Sequence, residues 1–403
     1  MACDADELAP AGAGDRRAHR VTAFEIFFDL VFVFAFTRII SFMIHNLTPL
    51  TLLQGLLLLV LMWWAWSAYC WLGNQVRADA GWALAGGITS MAAIFVVGVL
   101  IPEAFHDSPG GLNAPLTLAI AYSIVRVLFL ATYLYASSGD RELRNALIRL
   151  NILTIISWVP FIGGALIGGY LQVVLWTAAF VIDFAGGAAS SSHGGWRVRT
   201  PGYFAERHGL VVIIALGESL AAVGAGVGAV AVSGPILTAA LLGLALTVCL
   251  WLLYFRAVGP VAERRLVELQ GTPRARLARD AYMFLHFPLI AGVIYIAVGI
   301  EEVLVRVSGT AAHDTAAHDT AAPLGWIALT ALYGGIAIYL AGRTAIRQRA
   351  AHTRSTVQLI AVSVPLLLLP VARVIPAMAA LGLITAALVG LALYENTRTD
   401  VLP

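Results

Sequence analysis

Residues 22–39 read TAFEIFFDLVFVFAFTRI, and this stretch decides the fold. It is almost wholly apolar and opens a run, Phe24–Met43, of about the ~20 residues that a membrane-spanning helix requires. Within it, Glu25 and Asp29 stand four apart and so share one helix face, which Phe32 and Phe36 continue. A spanning helix that carries two acids on one stripe is expected to turn that stripe toward other helices rather than toward lipid.

Similar runs recur along all 403 residues, near 50–71, 82–101, 116–136, 146–167 and 171–184, and then near 205–227, 236–257, 281–303, 324–345, 356–371 and 375–394. Hydrophobic residues make up 60% of the chain and charged residues 12%, against about a quarter charged in soluble domains. So few charges cannot cover a soluble surface, and the fold class is all-α, a polytopic transmembrane bundle of about twelve helices. The net charge of +2 gives no field that would recruit nucleic acid. Three cysteines, Cys3, Cys70 and Cys249, form neither a disulfide framework nor a metal-binding spacing.

Every basic residue is Arg. With the N-terminus in the cytoplasm and the helices alternating, only Arg306 and Arg373 fall outside, Arg38 and Arg126 fall within helices, and the other twenty-one of 25 fall inside. This bias predicts that both termini are cytoplasmic, with a long cytoplasmic loop at 259–279. The outer loop after the ninth helix contains the tandem repeat TAAHDTAAHDTAA, which reads as a polar low-complexity segment. The expected organisation is a tail over 1–20, a six-helix half over 21–185, a Gly/Ser-rich cytoplasmic linker over 186–202, a second six-helix half over 203–395 and a tail over 396–403. The halves share features in order, such as Trp66-x-x-Tyr69 and Trp251-x-x-Tyr254, as two parallel repeats would.

Ionisable groups within spanning helices cost ~2.5–3.5 kcal/mol each on insertion scales, so they tend to mark partners or pathways. Glu25 and Asp29 suit a proton relay or a cation site, and Glu25 also suits an ordinary first-turn acid. The seventh segment reads YFAERHGLVVIIALGESL over 203–220. It offers Glu206, Arg207 and His208 at its start, where Glu206 and Arg207 can form an interfacial salt bridge or a gate. Glu218 and Ser219 follow eleven residues later, close to three turns, so Arg207 shares a face with Glu218 and His208 with Ser219. Arg126, midway along the fourth helix, needs a carboxylate from another helix, and Asp29 and Glu218 are the leading partners. His286 lies beside Pro288, where a broken hydrogen-bond ladder can make a hinge. No phosphate-binding loop, serine-nucleophile elbow, zinc helix or CxxC is present, and neither a metal nor another cofactor is expected.

The blocks at 25–33 and 206–219 resemble the bacterial low-temperature-requirement protein A family. Glu25, Phe27, Phe28, Asp29, Leu30, Val31, Phe32 and Val33 fit the first block. Glu206 to Leu210, with Ile213 to Ser219, fit the second. The resemblance covers roughly 20–395 and implies a multi-pass bacterial membrane protein named for a growth phenotype in the cold. It supplies no substrate. The residues themselves favour an inner-membrane transporter without an ATP motor, coupled to protons or cations, with membrane lipid around it and a small molecule or ion as cargo. Glu218 and Asp29 would bind the coupling ion or substrate near the midplane. An intramembrane enzyme acting on lipid or isoprenoid substrates, and an ion channel, are the alternatives.

Overall fold

The computed structural model describes residues 20–399 apart from 77, 80, 108–109, 193–194, 310–321 and 353–355. The N-terminal tail, most of the tandem repeat and the last four residues lie outside the described residues.

Among the described residues the chain forms twelve helices and no strand. They are α1 (Ala23–His45), α2 (Pro49–Gly73), α3 (Gly81–Leu100), α4 (Ala114–Ala136), α5 (Arg141–Ile167), α6 (Gly169–Ser192), α7 (Pro201–Val227), α8 (Gly234–Glu268), α9 (Gly271–Ser308), α10 (Trp326–Ala351), α11 (Thr356–Ala372) and α12 (Ala377–Thr399). Eleven are long and apolar enough to span a membrane. The twelfth, α11, has 17 residues with Pro365 and Pro370 inside it. It still carries the chain across the bundle, because α10 ends beside Asp280 and α12 begins beside Ala322 and Pro323.

One end of the bundle gathers the connections that sequence places in the cytoplasm. Arg199 reaches Gln75 O, Arg197 pairs with Asp140 and Glu142, Arg274 reaches Val198 O, Arg349 pairs with Asp280, and Arg256 bonds Asn396. These contacts tie five connections and the end of α12 into one arginine-rich face. The opposite end joins Gln172 to Ala104 O, Ser308 to Gly226 O, and Arg373 to the Trp326 ring.

Two expected loops are helical. The segment 259–279 extends α8 to Glu268 and begins α9 at Gly271, leaving only Leu269 and Gln270 between them. Its Ala, Glu, Arg and Leu residues favour helix, and Arg274 holds the turn by donating to Leu269 O and Val267 O. Similarly, the Gly/Ser stretch expected to begin a linker at 186 continues α6 to Ser192. Its small residues let α6 lie against bulky neighbours: a Cβ at Gly187 would sit 3.1 Å from Trp64, and one at Gly186 2.8 Å from Leu153.

The centre lies at α2, α9 and α10, whose most apolar windows are 67%, 67% and 72% buried, against 33% for α5 and α6. Gly292 and Gly335 let α9 and α10 meet backbone to backbone, since a Cβ on either would lie 2.6 or 2.8 Å from the other's carbonyl oxygen. Around this centre the surface is apolar, with side chains such as Phe27, Leu30 and Val159 exposed. Helix α1 divides accordingly: Glu25, Phe28, Asp29, Phe32 and Phe36 are buried while Ile26, Phe27 and Leu30 face outward. The aromatic run 63–71 of α2 is buried throughout.

Candidate functional site

The site is set by how α1 and α7 begin. Thr22 caps α1 in a reciprocal box: Glu25 N–H donates to Thr22 Oγ1 at 3.3 Å, and Thr22 N–H donates to Glu25 Oε2 at 2.9 Å. Pro201 starts α7 where its missing N–H costs nothing. Asn74, just past α2, positions that start by donating to Thr200 O at 2.8 Å and accepting from Arg199 N–H at 2.7 Å. The two helices then run parallel, with Glu25 beside Tyr203 and Arg207, and Thr37 beside Glu218. Any two odd-numbered helices of an alternating bundle are parallel, so this relation fits a duplicated chain without requiring one. Glu25 and Glu206 differ in environment: the first is buried and the second exposed.

Arg207 joins both acids of α1. Its Nη1 lies 2.9 Å from Glu25 Oε1 and its Nη2 lies 2.7 Å from Asp29 Oδ1, and all three side chains are at most 2% exposed. Trp66 Nε1–H donates to the same Asp29 oxygen at 2.9 Å, and the Tyr203 hydroxyl donates to Glu25 Oε1. Gly73 makes room for this arrangement, since a Cβ there would lie 2.7 Å from Glu25 Oε1 and would strike the Tyr203 hydroxyl. One oxygen of Glu25 caps the helix and the other meets Arg207. Asp29 Oδ2 and Arg207 Nε have no hydrogen-bond partner among the described residues.

The cluster at the start of α7 separates by helical geometry. Consecutive residues point ~100° apart at 3.6 residues per turn, so Arg207 and His208 turn inward while Glu206 is exposed. Arg207 therefore pairs with α1 rather than with Glu206. Glu206 lines a cavity of about 640 Å³ at the arginine-rich end, together with Glu263, Tyr203, Tyr254 and Tyr282. Two of these tyrosines lead inward: Tyr203 bonds Glu25, and Tyr254 bonds Nε2 of His286 at 2.7 Å.

His208 and His286 form a second buried group, with ring centroids 5.4 Å apart. His286 Nδ1 lies 2.7 Å from Ala281 O, so Nε2 accepts from Tyr254. His208 Nδ1 donates to Phe204 O at 2.8 Å, and its Nε2 has no partner among the described residues. The edge of His208 meets Trp66, 5.0 Å away, which links this group to Asp29. Tyr254 and Tyr282 come from π-helical turns at Leu253–Val258 and Ala278–Phe284. Such turns recur at functional sites because they re-aim side chains within a helix. The irregularity expected at Pro288 thus precedes His286.

Glu218 stands apart. It is 3% exposed, and Thr37 donates to its two oxygens at 3.1 and 3.0 Å. Thr37 follows Asp29 by eight residues, ~12 Å along α1, so Asp29 and Glu218 do not form one ion site. Ser219 is fully buried with no partner for its hydroxyl among the described residues.

Arg126 meets neither expected acid. Its Nη2 pairs with Asp183 Oδ2 at 3.2 Å and donates to Thr154 at 3.3 Å, and Thr154 donates to Asp183 at 2.6 Å. Asp183 escapes a reading that ends the sixth segment at Phe184, because it then looks interfacial. With α6 running to Ser192, Asp183 is an interior acid. Arg343, assigned to a cytoplasmic segment, is likewise fully buried and bonds Glu395 through both ends of its guanidinium, at 2.6 and 2.7 Å. Among the described residues no three His, Cys, Asp or Glu side chains converge as metal ligands.

Residues 20–393 match the family model described as Bacterial low temperature requirement A protein. A protein of Rhizobium meliloti (strain 1021), itself titled uncharacterized, is 26% identical over 319 residues, covering 76% of this chain and 75% of the relative. No solved structure matches.

Proposed function

The chain belongs to the bacterial low temperature requirement A family, and from that premise we propose that it is a proton- or cation-coupled transporter of the bacterial cell membrane. Its arginine-rich end lies in the cytoplasm by the positive-inside bias. Coupling runs through Glu25, Asp29 and Arg207. The observation that carries this reading is the charge balance: two buried carboxylates share a single guanidinium. One negative charge is left over, and in low dielectric it calls for a proton or a cation. Asp29 Oδ2, which has no hydrogen-bond partner among the described residues, is the atom that takes up that species. Tyr203 connects the site to the cavity holding Glu206 and Glu263, which supplies an entry from the cytoplasmic end. Glu218 with Thr37 forms a second station nearer the opposite end. The cargo is a small molecule or ion, and no ATP motor is involved.

Carbodiimide labelling tests this reading, because the reagent modifies protonated carboxyls in apolar surroundings. Peptide mass spectrometry of the membrane-embedded protein should find adducts at Asp29 or Glu25 that decline as pH rises. Labelling that avoids both residues, or ignores pH, would refute it.

A further inference from the structure

A pocket separate from the α1–α7 site lies between α2, α4, α5, α6 and the first turns of α9. Its charged lining is Arg126, Arg276 and Arg279, and its apolar wall includes Trp64, Trp71 and Trp196. From the end of α4, Arg126 lies ten residues inside, ~15 Å at 1.5 Å per residue. Arg276 is exposed at the arginine-rich end. The pocket therefore runs from the interface toward the middle of the bundle.

Three observations point to a ligand. Arg126 is 2% exposed and its guanidinium lies over the Phe129 ring; its hydrogen bonds run through Nη2, while Nε has no hydrogen-bond partner among the described residues. Arg276 has no partner among the described residues either. Arg279 pairs with Asp280, as does Arg349, and lies over the Phe284 ring. The charged groups that line the pocket or pair into it are thus four guanidiniums against Asp183 and Asp280, an excess of positive charge beside indole rings. Finally, Phe184, which is 49% exposed on the apolar surface, packs on Trp64 with centroids 5.8 Å apart. The pocket accordingly borders the lipid-facing wall.

We infer that this pocket binds an anionic amphiphile, its phosphate- or carboxylate-bearing head among Arg126, Arg276 and Arg279 and its apolar body along Trp64 and Phe184. The space is about 50 Å³, above the ~10–15 Å³ that one water needs. It accommodates a polyatomic head and leaves the tail outside. Guanidiniums suit such a head because their planar donors match oxyanion geometry.

The test uses the full chain in bilayers containing phosphatidylglycerol or phosphatidylcholine with brominated tails, since bromine quenches indoles that it touches. Lipid-facing tryptophans are quenched by both lipids alike, so the difference between lipids is what is read. The expected result is greater quenching by the phosphatidylglycerol. That excess should disappear in Arg276→Glu, an exposed position whose change spares the fold, and should fall in Trp64→Phe. Equal quenching by the two lipids, or an excess that survives Arg276→Glu, would overturn the proposal. A third arm titrates inorganic phosphate into detergent-solubilised protein and follows thermal stability. A phosphate response that depends on Arg276, with no excess quenching by phosphatidylglycerol, would identify a free anion as the ligand and likewise overturn it.

Discussion

Arg207 Nη2 lies 2.7 Å from Asp29 Oδ1, and the two side chains are 2% and 1% exposed. Because the same guanidinium also holds Glu25, its removal should strand two buried acids, whereas loss of Asp29 leaves a satisfied pair. Arg207→Gln is expected to lower stability by about 3–5 kcal/mol, and Asp29→Asn by clearly less. Thermal unfolding in detergent, followed by tryptophan fluorescence, checks this. Equal losses in the two variants, or no loss in Arg207→Gln, would contradict the shared-guanidinium geometry.

A double-mutant cycle distinguishes the partner of Arg126. The pair Arg126→Gln and Asp183→Asn should show a coupling of roughly 0.5–3 kcal/mol, as residues in contact do. Arg126→Gln combined with Glu218→Gln should be additive. Coupling to Glu218, and none to Asp183, would reverse the assignment.

What was legible in the sequence follows from which forces act locally. Helix positions and the common arginine face were readable, because apolar length and loop charge are properties of single segments. The buried stripe of Glu25, Asp29, Phe32 and Phe36 was readable for the same reason, through the four-residue period. Pairings between helices were not. Arg126 could be assigned a carboxylate but not the right one, since the choice depends on which helices are neighbours and on where α6 ends. The π-helical turns that present Tyr254 and Tyr282 left no mark in composition. Helical extensions across 186–192 and 259–279 were hidden by glycine and charge, two signals that ordinarily mean loop.

Glu218 has a single described hydrogen-bonding side chain, Thr37. Glu218→Gln keeps an oxygen that can accept from that hydroxyl, so its stability cost should not exceed that of one hydrogen bond, about 0.5–1.5 kcal/mol. If Glu218 is a proton station, the variant should fold and lose only the part of the pH response that Glu218 contributes. Melting temperatures recorded across a pH series report both quantities. A variant that unfolds as readily as Arg207→Gln would assign Glu218 to the scaffold.

Orientation can be read with an impermeant thiol reagent in a background lacking Cys3, since Cys70 and Cys249 are buried. Gln270, in the turn between α8 and α9, and Leu112, just before α4, are both exposed and at opposite ends of the bundle. Leu112→Cys should be labelled on intact cells and Gln270→Cys only after permeabilisation. The reverse pattern would invert the topology and with it the direction of entry toward Glu25.

The most direct measurement of the central claim is an infrared titration of the protein in lipid, following the stretching band of protonated carboxyls while pH is varied. The account predicts a band that is lost as pH rises and that is missing or shifted in Asp29→Asn or Glu25→Gln, with Arg207 left in place. A band unchanged by both substitutions, or none at any pH at which the protein stays folded, would contradict a proton held between these acids and Arg207.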